Sequence, residues 1–302
     1  VLVQGAGLLQ LDLSKLDGTN GFVINGTAMF SAAGTGDFNG DGYQDIVLGQ
    51  VGTNFGAIEY GHGGSFDPST TPGNDTHSTL FSLTTLHGSP SNGWAVGGLG
   101  DVNGDGYGDV ILTDPFHNDI NAEGSAVIVF GSDAGPGGVQ DLSSPNGSNG
   151  FNISGTAGAE LGWSAAGGDV NGDGFADVIV GSYKAYNAPG AAYVIFGHGG
   201  AFTPHLTPAD LNGTNGFTVT GTSPAVAHAV AAGDPNGDGI ADIIVSGKGG
   251  SKGANYSGET FVVFGHAGGF AASIGVSTLN GTSGFKSAPF SFTDGTGMAV
   301  PG

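Results

Sequence analysis

Asp169-Val170-Asn171-Gly172-Asp173-Gly174-Phe175-Ala176-Asp177 is one of four copies of the pattern Asp-x-Asn-Gly-Asp-Gly-x-x-Asp. The others run over 37–45, 101–109 and 234–242, so successive copies start 64, 68 and 65 residues apart. Asp, Asn and Gly are turn formers, and one copy would be read simply as a turn. Four copies with three carboxylates each ask for a cation. The side chains at positions 1, 3, 5 and 9 and the backbone carbonyl at position 7 can supply an all-oxygen shell, which suits calcium at roughly 6 to 8 ligands. The candidate ligands are Asp37, Asn39, Asp41, Tyr43 and Asp45; Asp101, Asn103, Asp105, Tyr107 and Asp109; Asp169, Asn171, Asp173, Phe175 and Asp177; and Asp234, Asn236, Asp238, Ile240 and Asp242. About four calcium ions are expected, one per loop. Gly at position 6 allows the sharp turn that such a loop needs. Position 12 is Leu48, Leu112, Val180 or Val245 where an EF-hand would carry Glu, so this is a different kind of loop.

Outward from each loop the same order of features returns. Small residues precede it, as in Ser31-Ala32-Ala33-Gly34, Ala95-Val96-Gly97-Gly98, Ser164-Ala165-Ala166-Gly167 and Ala229-Val230-Ala231-Ala232, which suits a crowded inner strand. A short apolar run follows it, as in Ile46-Val47-Leu48 and Val178-Ile179-Val180, and reads as a strand buried on both faces. A third strand is expected at Ser125 to Phe130, Ala191 to Phe196 and Glu259 to Phe264, with a weaker copy at Ala57 to Tyr60. A fourth is expected at Gly150 to Gly155, Gly21 to Gly26 and Gly216 to Gly221. Four short strands per unit without helical periodicity predict an all-β chain, a β-propeller of four-stranded antiparallel blades. A β-sandwich is the alternative.

The units are expected at 27–91, 92–156, 157–222 and 223–288 of a single domain over 1–302, with 1–26 and 289–302 forming a partial blade. The phase at the ends admits two expectations: a split fifth blade closed by strands from both termini, or an excerpt of a longer propeller. The excerpt is the preferred reading, and the start at Val1 reads as a mature, processed or excerpted chain.

These residues resemble the FG-GAP repeats of integrin α-subunit propellers and their bacterial relatives, in which such a loop joins the first two strands of a blade. Leu161 to Gly174, followed by Val178-Ile179-Val180-Gly181, is the best copy. The resemblance implies the propeller fold and carries the family's calcium ligands onto positions 1, 3, 5, 7 and 9. The Gly-Ala-Pro half of the motif is altered in all four copies, to Gly49-Gln50, Thr113-Asp114-Pro115, Gly181-Ser182-Tyr183 and Ser246-Gly247-Lys248. Family members include adhesion receptors, lectin-like proteins and accessory domains of secreted enzymes, so the ligand stays open.

Composition narrows the functional classes. With 26 acids against 5 bases the net charge is -21, which leaves no basic patch for nucleic acid or an anionic membrane. No apolar run approaches the roughly 18 residues of a membrane span. The absence of Cys excludes disulfides and thiolate metal sites. No nucleophile, base and orienting group cluster or recur, so no catalytic site is expected. The expected function is an extracellular, secreted or cell-surface module that is held by calcium and binds protein or carbohydrate through loops on the opposite face. Self-association as a structural subunit, and service as a non-catalytic part of a secreted hydrolase, are the alternatives.

His62, His198 and His266 recur after the third strand and are read as turn residues, with a metal- or glycan-binding ring as the lesser alternative. Phe151, Phe217 and Phe285 recur in register and are expected between blades as core. Trp94, Tyr183, Tyr186 and Tyr256 do not recur and are the candidates for stacking on a glycan. The sequons at Asn25 and Asn280 follow the repeat and read as turn composition.

Overall fold

The computed structural model describes residues 12–26, 29–51, 55–74, 76–82, 93–117, 121–133, 139–141, 144–183, 189–221, 226–247, 259–287, 292–293 and 299–300. Each repeat forms one antiparallel sheet. The first blade contains Met29–Gly36, Asp45–Gln50, Phe55–Glu59 and Ser78–Ser82. The second contains Val96–Gly100, Asp109–Asp114, Ser125–Val129 and Gly150–Ser154. The third contains Leu161–Gly168, Asp177–Ser182, Ala191–Ile195 and Gly216–Thr220. The fourth contains Ala229–Gly233, Asp242–Gly247, Glu259–Val263 and Gly284–Ser287. The fold is a β-propeller.

Glycine spacing explains why the inner strands can face one another. A Cβ on Gly98 would lie 2.3 Å from the Gly34 carbonyl oxygen, and one on Gly167 would lie 2.2 Å from that of Leu99. Only a residue without a side chain permits that approach. The second strands carry the bulk: Asp109–Asp114 and Asp177–Ser182 are buried at every position. Apolar side chains collect in three layers between consecutive blades, around Phe81 and Val110, around Phe151 and Val178, and around Phe217 and Ile243.

Two features depart from the four-stranded expectation. The outer strand of each of the first three blades gains a fifth, parallel strand from the blade that follows: Val139–Asp141 on Ser78–Ser82, His205–Leu206 on Gly150–Ser154, and Ser273–Gly275 on Gly216–Thr220. Val23–Ile24 pairs with Ser69–Thr70 in the same sense. Two or three residues within a connection carried too little pattern to read as strands. The outer strand of the first blade, Ser78–Ser82, also went unread because it lacks the Gly-Phe start of its counterparts.

The recurrent Phe and His residues act together in ring stacks between blades. Phe22 stacks on Phe66, Phe151 on Phe202 and Phe217 on Phe270, at 4.5, 4.9 and 4.4 Å between centroids and within a few degrees of parallel. His62, His198 and His266 each pack on the second Phe of the pair, at 4.1, 3.9 and 4.1 Å. Phe151 and Phe217 are fully buried, as expected, but Phe285 is 42% exposed. No Phe of a following blade stacks on it among the described residues, and burial at this position requires that partner.

Candidate functional site

The four loops hang from the ends of the inner strands and share one hydrogen-bond scheme. Gly at position 4 and Gly at position 6 both have positive φ, 71–76° and 88–93°. The first Asp accepts N–H bonds within its own loop: Asp169 Oδ1 from Gly172 and Asp173, and Asp169 Oδ2 from Gly174, at 2.7, 3.1 and 2.9 Å. The fifth accepts from position 7, as Phe175 N–H donates to Asp173 Oδ1, and from the Asn at position 3.

The ninth residue ties the loop to its blade. Val170 N–H donates to Asp177 Oδ2 and Gly197 N–H to Oδ1, both at 2.8 Å. Asp45 and Asp109 are held the same way, from Phe38 and Gly61 and from Val102 and Gly131. These carboxyls are almost completely buried. Burial pushes Asp109 and Asp177 up to about 7; their N–H donors oppose the rise, and the carboxylates at positions 5 and 1 add to it by repulsion. Asp45 and Asp242 are raised for the same leading reason.

Neighbouring loops are also joined. Gly108, Ala176 and Ala241 N–H donate to the carbonyls of Asp37, Asp101 and Asp169 in the preceding blade, at 2.8, 2.9 and 2.9 Å. Ser132, His198 and His266 N–H reach the carbonyls of Phe38, Val102 and Val170. The position-7 side chains Tyr107, Phe175 and Ile240 lie over the position-4 Gly of the loop before, which leaves no room there for a Cβ. The loops form one continuous rim.

All twenty expected ligand residues therefore sit in the loops, but their carboxylates are committed mainly to N–H donors. Among the described residues no three acidic or His side chains are gathered closely enough to hold an ion. The chemistry of the rim nevertheless fits a hard cation. Each loop holds one buried carboxylate beside two more, no Lys or Arg lies in any loop, and one buried oxygen, Asp242 Oδ2, has no hydrogen-bond partner.

A second cluster lies at the other end of the inner strands, about seven residues or roughly 20 Å away along an extended chain. The residue just before the small-residue stretch is Phe30, Trp94, Trp163 or His228, and these four form a line. Phe30 packs on Trp94 at 4.8 Å, Trp94 on Trp163 at 5.1 Å, and Trp163 on His228 at 5.4 Å. Phe116 and Tyr183 close the sides edge-on. Strand pairing slips between Met29 and Ser31 and between Leu161 and Ser164, and such bulges re-aim the residue they contain, here Phe30 and Trp163. Trp163 Nε1 donates to Glu160 Oε2 at 2.8 Å, and burial raises the Glu160 carboxyl. Phe30 is 56% exposed.

Of the expected candidates for stacking on a glycan, Trp94 is a member of this line and Tyr183 packs edge-on against it. Tyr186 and Tyr256 lie outside the described residues. Phe30, Trp163 and His228 were missed, although their shared position ahead of the small-residue stretch was readable.

Residues 29–58 and 161–195 match the model of the FG-GAP repeat. The chain is 33% identical over 241 residues, 71% of its length, to integrin alpha pat-2 of Caenorhabditis briggsae. It is 31% identical over 245 residues, 70% of its length, to integrin alpha pat-2 of Caenorhabditis elegans. Over 160 residues, 49% of its length, it is 30% identical to integrin alpha-IIb of Mus musculus. These matches span 17%, 17% and 14% of the relatives' own lengths. Among the described residues no helix is long and apolar enough to cross a membrane.

Proposed function

The chain is an FG-GAP-repeat protein related to integrin α chains, and from that premise we propose that it is an extracellular, non-catalytic adhesion module. Calcium steadies the loop rim, and a carbohydrate or protein ligand docks on the aromatic line at the opposite end. The carrying observation is the line itself. Four half-buried or exposed rings, one per blade, occupy one structural position where a sugar face or an apolar side chain can stack. Glu160 beside Trp163 supplies a carboxylate for a hydroxyl or amide donor.

The calcium part rests on the buried, mutually repelling carboxylates and on the lack of any Lys or Arg within the four loops. Positions 1, 3, 5, 7 and 9 of each loop would hold the ion, which would supply the positive charge that the rim lacks.

The test is a glycan array and an extracellular-matrix protein panel, each probed in millimolar calcium and in chelator. Binding that is calcium-dependent and lost in Trp94→Ala and Trp163→Ala is expected. Binding that survives both substitutions removes the aromatic line from the reading. Self-assembly has one supporting observation, an open apolar groove of about 420 Å3 lined by Ile24, Met29, Phe30, Ser31, Ala32 and Leu48. Light scattering of the unliganded chain decides it: oligomers favour assembly, a monomer the ligand-binding module.

A further inference from the structure

The four loops have the same pattern but differ in one backbone atom. Position 2 is Phe38, Val102 and Val170 in the first three, and each donates its N–H to the Oδ2 of the ninth residue at 2.8, 2.7 and 2.8 Å. In the fourth loop position 2 is Pro235, which has no N–H. Asp242 keeps its other clamp, from Gly265 N–H at 2.9 Å, and has a long approach of 3.5 Å from Asn236 Nδ2, both on Oδ1. Oδ2 is left buried without a partner on a residue with no exposed surface. Asp234 and Asp238 face the same carboxylate and add repulsion.

A buried, unpartnered carboxylate oxygen costs far more than a weak hydrogen bond returns, so a folded loop that retains one needs another way to satisfy it. We propose that Asp242 Oδ2 is reserved for the cation, which makes the fourth loop the most calcium-dependent of the four. In the other three the position-2 N–H holds the ninth residue whether or not an ion is bound. In the fourth, the ion substitutes for that N–H, so the strand that Asp242 begins is secured only with metal present. This inference rests on the calcium reading above and concerns how the four sites divide the work.

The fourth blade differs in a second way. Among the described residues no following blade donates to the carbonyls of Asp234 and Pro235, as Gly108 and Ser132 do to those of Asp37 and Phe38. The experiment must separate the missing N–H from the missing neighbour. Hydrogen exchange on the full chain, with calcium and with chelator, should follow the amides of 242–247 against those of 109–114 and 177–182. On chelation the fourth strand is expected to speed up about tenfold more than the other two. Pro235→Val restores a donor at position 2 without touching a carboxylate, and should bring that excess down to within about threefold. If the three strands respond equally, or if Pro235→Val leaves the excess unchanged, the proposal is overturned while the calcium reading stands. If no strand responds to calcium, the calcium reading itself falls and the proposal falls with it.

Discussion

At one end of the inner strands four loops repeat a single hydrogen-bond scheme almost atom for atom; at the other, one structural position holds Phe30, Trp94, Trp163 and His228. The loop end joins blades through backbone groups, such as Ala176 N–H to the Asp101 carbonyl, and backbone geometry leaves little choice of residue. The aromatic end joins blades through side-chain faces that different rings can provide. Uniformity therefore marks the end whose backbone links build the propeller, and variety marks the end where we place the ligand.

Chelation should break the comparison most severely. Four sites each filled at about 100 times their Kd would contribute on the order of 10 kcal/mol, so removing calcium should lower the melting temperature by roughly 15 °C or more. An unchanged melting curve would reduce the loops to hydrogen-bonded turns. Within the loop end, Asp177→Ala in chelator should cost about 3–4 kcal/mol by urea unfolding, because it strands the buried Val170 and Gly197 N–H groups. Asp173→Ala, at an exposed position, should cost under about 1 kcal/mol under the same conditions. Equal costs would mean that the ninth residue is a metal ligand and nothing more.

The ring stacks sharpen the comparison next. Phe202→Ala should cost about 3 kcal/mol, since Phe202 is the middle ring between Phe151 and His198 and is nearly buried. His198→Ala should cost about 1 kcal/mol or less, as the loss of one stacked face at the surface. This is the turn reading of the recurrent His, and a large loss at His198 would contradict it.

Acid gives the smallest effect and reports on the aromatic end. The Glu160 carboxyl is raised in the folded chain, chiefly by burial, so the folded state binds its proton more tightly than the unfolded state does. Its contribution opposes folding above the raised value and fades as pH falls through that value toward the ordinary Glu value. The gain should be the smallest of these effects, because the Trp163 hydrogen bond to the carboxylate opposes the rise that burial causes. The fluorescence of Trp163 should change over the same window as its acceptor is protonated, and Glu160→Gln should abolish that step while leaving the tryptophan in place.

The loop end was legible because its chemistry is local. Nine consecutive residues contain both the turn glycines and the carboxylates that accept from them, as Asp169 does from Gly172 and Gly174. The aromatic end was half legible. Trp94 and Tyr183 stood out as unusual residues, but the line needed Phe30, Trp163 and His228, which belong to different repeats and meet only when inner strands converge. The role we propose for Pro235 was hidden for a similar reason: it occupies a variable position of the motif, and its missing N–H matters only because the ninth residue bonds back to position 2, as Asp177 does to Val170.

The sequence by itself determined the class of fold, the repeat, the order of strands in a blade and the oxygen-rich loops, because these depend on residues close together in the chain. Only the tertiary structure decided which residues bridge blades: the parallel fifth strands, the Phe-Phe-His stacks, the carbonyl links between loops and the aromatic line. Each of these joins residues of separate repeats, or of separate parts of one repeat. The spacing of a sequence pattern records what a repeat is made of, whereas the meeting of two repeats depends on how closely glycine-lined inner strands approach and on the register in which they do so.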